Sequence, residues 1–402
     1  MNANKWNWPG HRGGGLSVAS ATGARWSLKQ AFGHRTLCVS ARLFAMVACL
    51  VTMIVTARAA ETQRLLYVAT PGVRDLLEFG GHGLLVFDID DGHRFLRRIP
   101  TGGLGDDGKP LNVKGICACA QTKRIYITTL QHVLCLDLES EKVLWERKYD
   151  GGCDRLAISP DGAFLYVPSL EKEHWNFLDA ATGEVVKRIE PHSGAHNTVC
   201  GLAGTEVYLA ALRSPYLKVV DARNHAVLRD VGPFSHSIRP FTVNGAQTLC
   251  FVNLNELLGF EIGDLKTGKK LHRVEVQGFE KGAVKRHGCP SHGIGLTPDE
   301  TEIWVTDAHN QRLHTFDNTV MPPKQQESIT LRDEPGWVTF TIQGDYAYPS
   351  TGQVIDVKSK QIVTQLTDEA GRAVQSEKML EIDVADGAPV QNGDQFGVGR
   401  RE

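Results

Sequence analysis

The chain has 402 residues, 44 Lys and Arg against 46 Asp and Glu, and a formal net charge of −2. That balance gives no reason to expect nucleic acid or an anionic membrane as a partner, since both need a basic face. With 42% hydrophobic residues, 22% charged residues and 41 glycines, the composition is that of a turn-rich globular protein.

The first element is the apolar run Leu43–Thr56 (LFAMVACLVTMIVT), preceded by Arg35 and Arg42 and followed by Ala57-Arg58-Ala59. A basic flank, a short apolar core and a small-x-small end predict a secretory signal peptide. The run of 14 is shorter than the roughly 20 residues that span a bilayer. Cleavage is expected near Ala59 or Ala60, leaving residues 1–60 as leader and signal peptide. The mature chain is then periplasmic or secreted and free of the membrane. It keeps Cys117, Cys119, Cys135, Cys153, Cys200, Cys250 and Cys289, whose spacing matches no metal motif. Some could pair in an oxidising compartment, but most read as buried small hydrophobes.

From residue 61 onward one grammar repeats. Its clearest copy is Leu156–Val167 (LAISPDGAFLYV) followed by Asn176-Phe-Leu-Asp179-Ala-Ala-Thr-Gly183 and Glu184–Ile189. It reads as a strand, a Pro-Asp-Gly turn, a second strand, a third strand ending in Asp, a Thr-Gly turn and a fourth strand. In chain order the second-strand aromatics are Tyr67, Tyr126, Tyr166, Tyr208, Phe251, Trp304 and Tyr348. From Tyr126 their separations are 40, 42, 43, 53 and 44 residues. The third-strand aspartates are Asp88, Asp137, Asp179, Asp221, Asp264, Asp317 and Asp356, four of them 13 residues after the aromatic. These recur at turns, where Asp accepts backbone N–H bonds, and are read as structural.

Seven four-stranded units predict an all-β, seven-bladed β-propeller over residues 61–385. Its first blade lacks an innermost strand, because Leu65–Val68 already reads as the second strand. Lys378–Val384 (KMLEIDV) can supply the missing strand and close the ring from the other terminus. The tail, residues 386–402, is Gly-rich and polar and is expected on the surface.

Residues 62–367 resemble the YVTN-type β-propeller repeat family of exported bacterial proteins, through patterns such as Ser159-Pro-Asp-Gly-Ala-Phe-Leu-Tyr-Val167. That family includes lactonases, lyases, amine dehydrogenase subunits, haem or copper enzyme domains and plain binding modules. The resemblance therefore implies a fold and leaves the activity open.

The repeat register nevertheless locates a site. In a propeller the first strand of each blade lines the central channel, and its entry end forms a rim. The position twelve before each aromatic is Lys114, Asp154, His196, Arg239, His292 and Gly336 in blades two to seven. Five of the six are ionisable, on strands otherwise apolar. Nearby stand His192, Asn197, His236, His287, Ser291, Glu334 and Trp337. Ionisable groups gathered at one rim shift one another's pKa values and can hold anions or metals. Channel rims are also wet, and the same residues can simply be solvated or paired with one another.

The expected function is an exported binding protein whose rim takes a small anionic ligand or a protein partner. Lys114, Asp154, Asn197, His236, His287, Glu334 and Trp337 are its candidate binding residues. The alternative is an enzyme with His292, His196 and Arg239 as catalytic residues and His196 and His292 as candidate metal ligands. Ser291-His292-Gly293-Ile294 looks like the strand-entry motif of streptogramin-type lyases, where a His is the general base. A lactonase reading would rest on Arg239 with Asn253 or Glu256, and a quinone-type dehydrogenase would need a partner subunit or a soluble cofactor. No Cys-x-x-Cys-His haem attachment occurs, and the cofactor stays open.

Overall fold

A computed structural model describes residues 62–191 and 193–401. The expected signal peptide and His192 lie outside the described residues. Alternating side chains along the repeats form seven antiparallel sheets, six of four strands and one of five. Together they make a seven-bladed β-propeller, as the repeat predicts. The only helical element among the described residues is a short 3-10 turn, Leu77–Phe79. No described helix is long and apolar enough to cross a membrane.

Blades two to seven begin with the innermost strands Val113–Cys119, Ala157–Ile158, Ala195–Cys200, Ile238–Val243, Ile294–Leu296 and Val338–Phe340. The first blade is closed as expected. Met379–Ala385 pairs antiparallel with Gln63–Thr70, matching Tyr67 to Leu380.

The core is divided among the blade interfaces. Each of seven buried apolar clusters spans two neighbouring blades, and one of them also takes in Trp337 and the tail residues Phe396 and Val398. One joins Leu65 and Tyr67 to Ile116 and Ile125 across blades one and two. Another joins Tyr348 and Val354 to Leu66, Val68 and Met379 across the closure. All seven second-strand aromatics are at most 2% exposed, which is why they mark the repeat so regularly. Burying a ring of this size contributes about 1.5–3 kcal/mol each.

The third-strand aspartates cap their turns. Asp179 accepts from the Thr182 N–H at 2.8 Å and from its hydroxyl at 2.9 Å. Asp137 and Asp356 do the same with Ser140 and Ser359. The seven cysteines are free thiols, all buried except the half-buried Cys200. Burial pushes the thiols of Cys200, Cys250 and Cys289 up to about 12.

The tail departs from expectation. Only part of it lies on the surface: Ala388–Asn392 adds a half-exposed fifth strand beside Met379–Ala385 in blade one, and the segment after it is buried among the inner strands of other blades. Gln395 accepts from Ile116 N–H through its side chain and from the Trp337 indole through its carbonyl. The Gly397 carbonyl accepts from Thr242 and Leu296 on blades five and six. Phe396 and Val398 are buried against the inner strands. Two apolar side chains in a polar stretch were a weak signal. They are held there because the channel offers them burial and gives the tail backbone its hydrogen-bond partners.

Candidate functional site

The entry ends of the innermost strands carry β-bulges. The pairing register slips between Val113 and Gly115, between Ala195 and Asn197, and between Ile238 and Phe241. Lys114, His196 and Arg239 therefore sit on the irregular residues, where a bulge turns a side chain out of the sheet alternation. Along with His287 and His292 they line a cavity of about 200 Å³ at the channel mouth.

The register also reveals a seventh position. Each ring residue stands three before the residue paired with its blade's aromatic. Lys114 precedes Cys117 (paired with Tyr126), and His292 precedes Gly295 (paired with Trp304). In blade one Tyr67 pairs with Leu380, so the equivalent residue is Glu377. Counting back from Tyr67 along the chain could not find it, because that blade is built from both termini. Reading the closing strand in register would have found it.

Two buried carboxylates organise the mouth. Asp154 is fully buried and takes His196 Nδ1–H at 2.7 Å, with Lys114 Nζ at 3.4 Å. Burial opposes its charge, but Lys114 and His196 prevail and hold its carboxyl well below the usual range. Burial, against the pull of Asp154, lowers the His196 pKa, so the imidazole is neutral at pH 7. With Nδ1 donating, Nε2 carries the lone pair, and it is buried without a protein partner.

Glu377 is the second centre. Its Oε2 accepts from Arg155 at 2.5 Å and Lys378 at 2.8 Å, while Oε1 faces His287 Nδ1 at 3.0 Å. Burial disfavours its charge, yet Lys378 and Arg155 outweigh burial and keep it ionised. Lys378 also donates to the Gly72 carbonyl at 2.8 Å. Burial lowers its pKa to about 7, Glu377 notwithstanding. His292 Nδ1 donates to the Gly336 carbonyl at 3.0 Å, and burial drives its pKa well down.

The remaining expected residues fall around this mouth unevenly. Glu334 accepts from the Lys285 and Arg286 backbone N–H groups and so shapes the loop that carries His287. Trp337 is 2% exposed, lies under the Arg155 guanidinium at 4.6 Å and meets Phe396 of the tail at 5.8 Å. The two rings fill part of the channel. Asn197 is fully buried, with both polar side-chain atoms lacking a protein partner. His236 is exposed and does not line the cavity. Gly336 holds the seventh-blade position because a Cβ there would stand 2.1 Å from the His287 ring and 2.5 Å from Glu377.

The residues missed in the sequence are mostly cations: Arg74, Arg155, Arg286 and Lys378. The cavity is lined by six Lys and Arg side chains against two carboxylates, Glu171 and Glu377. Arg239 donates to the Asn255 amide oxygen and the Gly288 carbonyl. Arg74 donates to the Arg286 carbonyl. Neither has a carboxylate partner among the described residues. Polar atoms buried without a partner cluster here too: His196 Nε2, Arg155 Nε and His287 Nε2. Such atoms mark places where water, an ion or a ligand completes the bonding.

No protein-family model and no curated protein matches the chain. Among solved structures, a dihydro-heme d1 dehydrogenase, NirN, in complex with DHE superposes at a TM-score of 0.56. It is 15% identical, with 82% of this chain and 73% of that one covered. A hydrazine synthase from Kuenenia stuttgartiensis matches at a TM-score of 0.44 and 12% identity, with 65% of this chain and 96% of that one covered. At 15% identity the likeness to NirN is one of fold, and the fold of this chain is a seven-bladed β-propeller.

Proposed function

We propose that this chain is an exported propeller of the YVTN-repeat type that captures a small anion, a phosphate or short polycarboxylate, at its channel mouth. Export rests on the Leu43–Thr56 pattern and its flanks. Anion capture rests on one observation: of six cationic side chains lining the cavity, Lys114, Arg155, Arg286 and Lys378 pair with Asp154, Asp333 or Glu377, while Arg74 and Arg239 are bonded only to uncharged oxygens. Arg74 is exposed and Arg239 half-buried, so both can offer charge-assisted hydrogen bonds to an anion that enters the mouth. The cavity of about 200 Å³ is below the roughly 300–1,000 Å³ of pockets that enclose drug-sized molecules, which favours a small ligand.

Isothermal titration with citrate and with phosphate, in buffer freed of metal by a chelating resin, tests this. One-site binding is expected, weakening as salt rises and falling at least tenfold in Arg239→Met. Absence of binding by both anions, or binding indifferent to Arg239→Met and Arg74→Met together, would sink the reading.

A second reading, an enzyme using His196 as general base, is favoured by the Asp154–His196 pair. A buried carboxylate fixes the tautomer and leaves Nε2 free, an arrangement suited to proton abstraction. It predicts that His196→Gln keeps anion affinity while abolishing turnover of whatever anion is bound.

A further inference from the structure

We propose that His287, His292 and Glu377 hold a divalent metal ion at the channel mouth. Each offers a ligand atom, and the three atoms lie within 4.8 Å of one another. All three residues are at most 7% exposed. Two imidazoles and one carboxylate are a donor set that suits zinc, with a fourth position left for water or substrate. His196 is not part of the group. The proposal goes beyond anion capture and does not depend on it.

The surroundings are those of a ligand set already oriented. The two oxygens of Glu377 have divided tasks. Oε2 is held by Arg155 and Lys378, while Oε1 is turned to the histidines, 3.0 Å from His287 Nδ1 and 4.0 Å from His292 Nδ1. Ligating carboxylates are commonly fixed in this way through the oxygen that does not bind the metal. The Gly336 carbonyl holds the His292 ring through Nδ1.

His287 supplies the independent sign. Its Nε2 is buried with no hydrogen-bond partner and stands 3.9 Å from Glu334 Oε1. A metal taking Nδ1 places the proton on Nε2, on the side of the ring that Glu334 faces from 3.9 Å. Without a metal, Nδ1 faces Glu377 and Nε2 is left over. The glycine at position 336 fits the same picture, since a Cβ there would occupy the space beside His287 Nδ1 and Glu377 Oε1.

The nearby cations weaken the metal's hold, as like charges repel. Two of them, Arg155 and Lys378, are already neutralised in part by Glu377. A bound anion would offset the rest.

The test uses EDTA-stripped protein in anion-poor buffer, dialysed against 10 μM zinc or cobalt and assayed by mass spectrometry. One equivalent is expected, falling at least tenfold in occupancy in His287→Gln and in Glu377→Gln. X-ray absorption on zinc-loaded wild type guards against variants that fail to fold. Imidazole scattering without a sulfur shell near the roughly 2.3 Å of zinc thiolates supports the site. No metal in the wild type, undiminished metal in both variants, or a sulfur shell overturns it. The anion titration, run in resin-treated metal-free buffer, stands or falls separately.

Discussion

Replacing Asp154 by Asn removes one charge from the centre of the mouth and changes little else. The carboxylate is 0% exposed, 2.7 Å from His196 Nδ1, 3.4 Å from Lys114 Nζ and 3.0 Å from the Arg155 N–H. An amide can keep one or two of those hydrogen bonds but cannot neutralise Lys114. Breaking a buried ion pair from one side costs about 3–5 kcal/mol, a large part of the roughly 5–15 kcal/mol that holds a domain folded. A propeller of this length shifts its Tm by roughly 1–2 °C per kcal/mol, so Asp154→Asn is expected to melt about 3–10 °C below wild type. Because Asp154 has a depressed pKa, its contribution is present above the ordinary carboxylate pKa. It is lost only on strong acidification, so the gap between the proteins should be constant from pH 5 to pH 8. Anion affinity should move the other way and tighten severalfold, since a negative charge has left the mouth. Scanning calorimetry at three pH values and one citrate titration provide the assay. A Tm shift under 1 °C, or the full shift persisting in a Lys114→Met background, would refute the ion-pair account. Loss of stability and of affinity together would refute the electrostatic one.

Other expectations are simpler. His93 is 6% exposed, its Nε2 lies 2.8 Å from the Tyr348 hydroxyl, and burial lowers its pKa from 6.5 to about 4. The unfolded chain then binds a proton that the folded chain refuses, so stability falls as pH drops below about 6.5, by up to about 1.4 kcal/mol per unit. Urea midpoints at pH 7, 6 and 5 should show this slope in wild type and a shallower one in His93→Phe; equal slopes would count against it. Phe396→Ala empties a tail site that is 4% exposed and in contact with Trp337. It should cost about 3–5 kcal/mol and be visible as a lower Tm, whereas a surface tail would give no change. Asp179→Ala removes a turn cap and should cost about 1–2 kcal/mol in guanidinium melts while leaving citrate affinity untouched.

The fold was legible because each blade repeats the same physical requirements: an aromatic buried between blades and an Asp satisfying a turn. The closing strand was legible for a related reason, since the first blade lacked a partner that only the C-terminus could supply. Six ring positions could be read by counting, because the register from inner strand to aromatic is constant in blades two to seven. Glu377 escaped because its blade joins the two termini and the count crosses no continuous chain. Arg155 and Lys378 escaped for a different reason. Each is one residue past a ring position, where strict alternation would point the side chain away from the channel. Irregular pairing near the mouth breaks that alternation: blade three has only Ala157–Ile158 in its inner strand, and Arg155 bridges to Asn197 instead. His236 was grouped with the ring by proximity in sequence, yet it lies outside the cavity, since two residues suffice to leave the mouth at a strand start.

The tail gives the mouth its chemical character. A propeller channel open at both ends would be a wet pore, and six cations in it would be screened by water and salt. Here Trp337 and the Gln395–Val398 segment pack together among the inner strands and fill part of the channel. That filling lowers the local dielectric and strengthens each charge that faces the cavity. It also explains why the two carboxylates are so heavily bonded, as a buried anion without such donors would take up a proton. A ligand that enters meets Arg239 and Arg74 at the rim before His196 and His292 within. Emptying that part of the channel, by removing residues 394–402, should therefore weaken anion capture without touching any side chain of the ring. If affinity survives that deletion in a folded protein, the cations alone suffice and the tail contributes only stability.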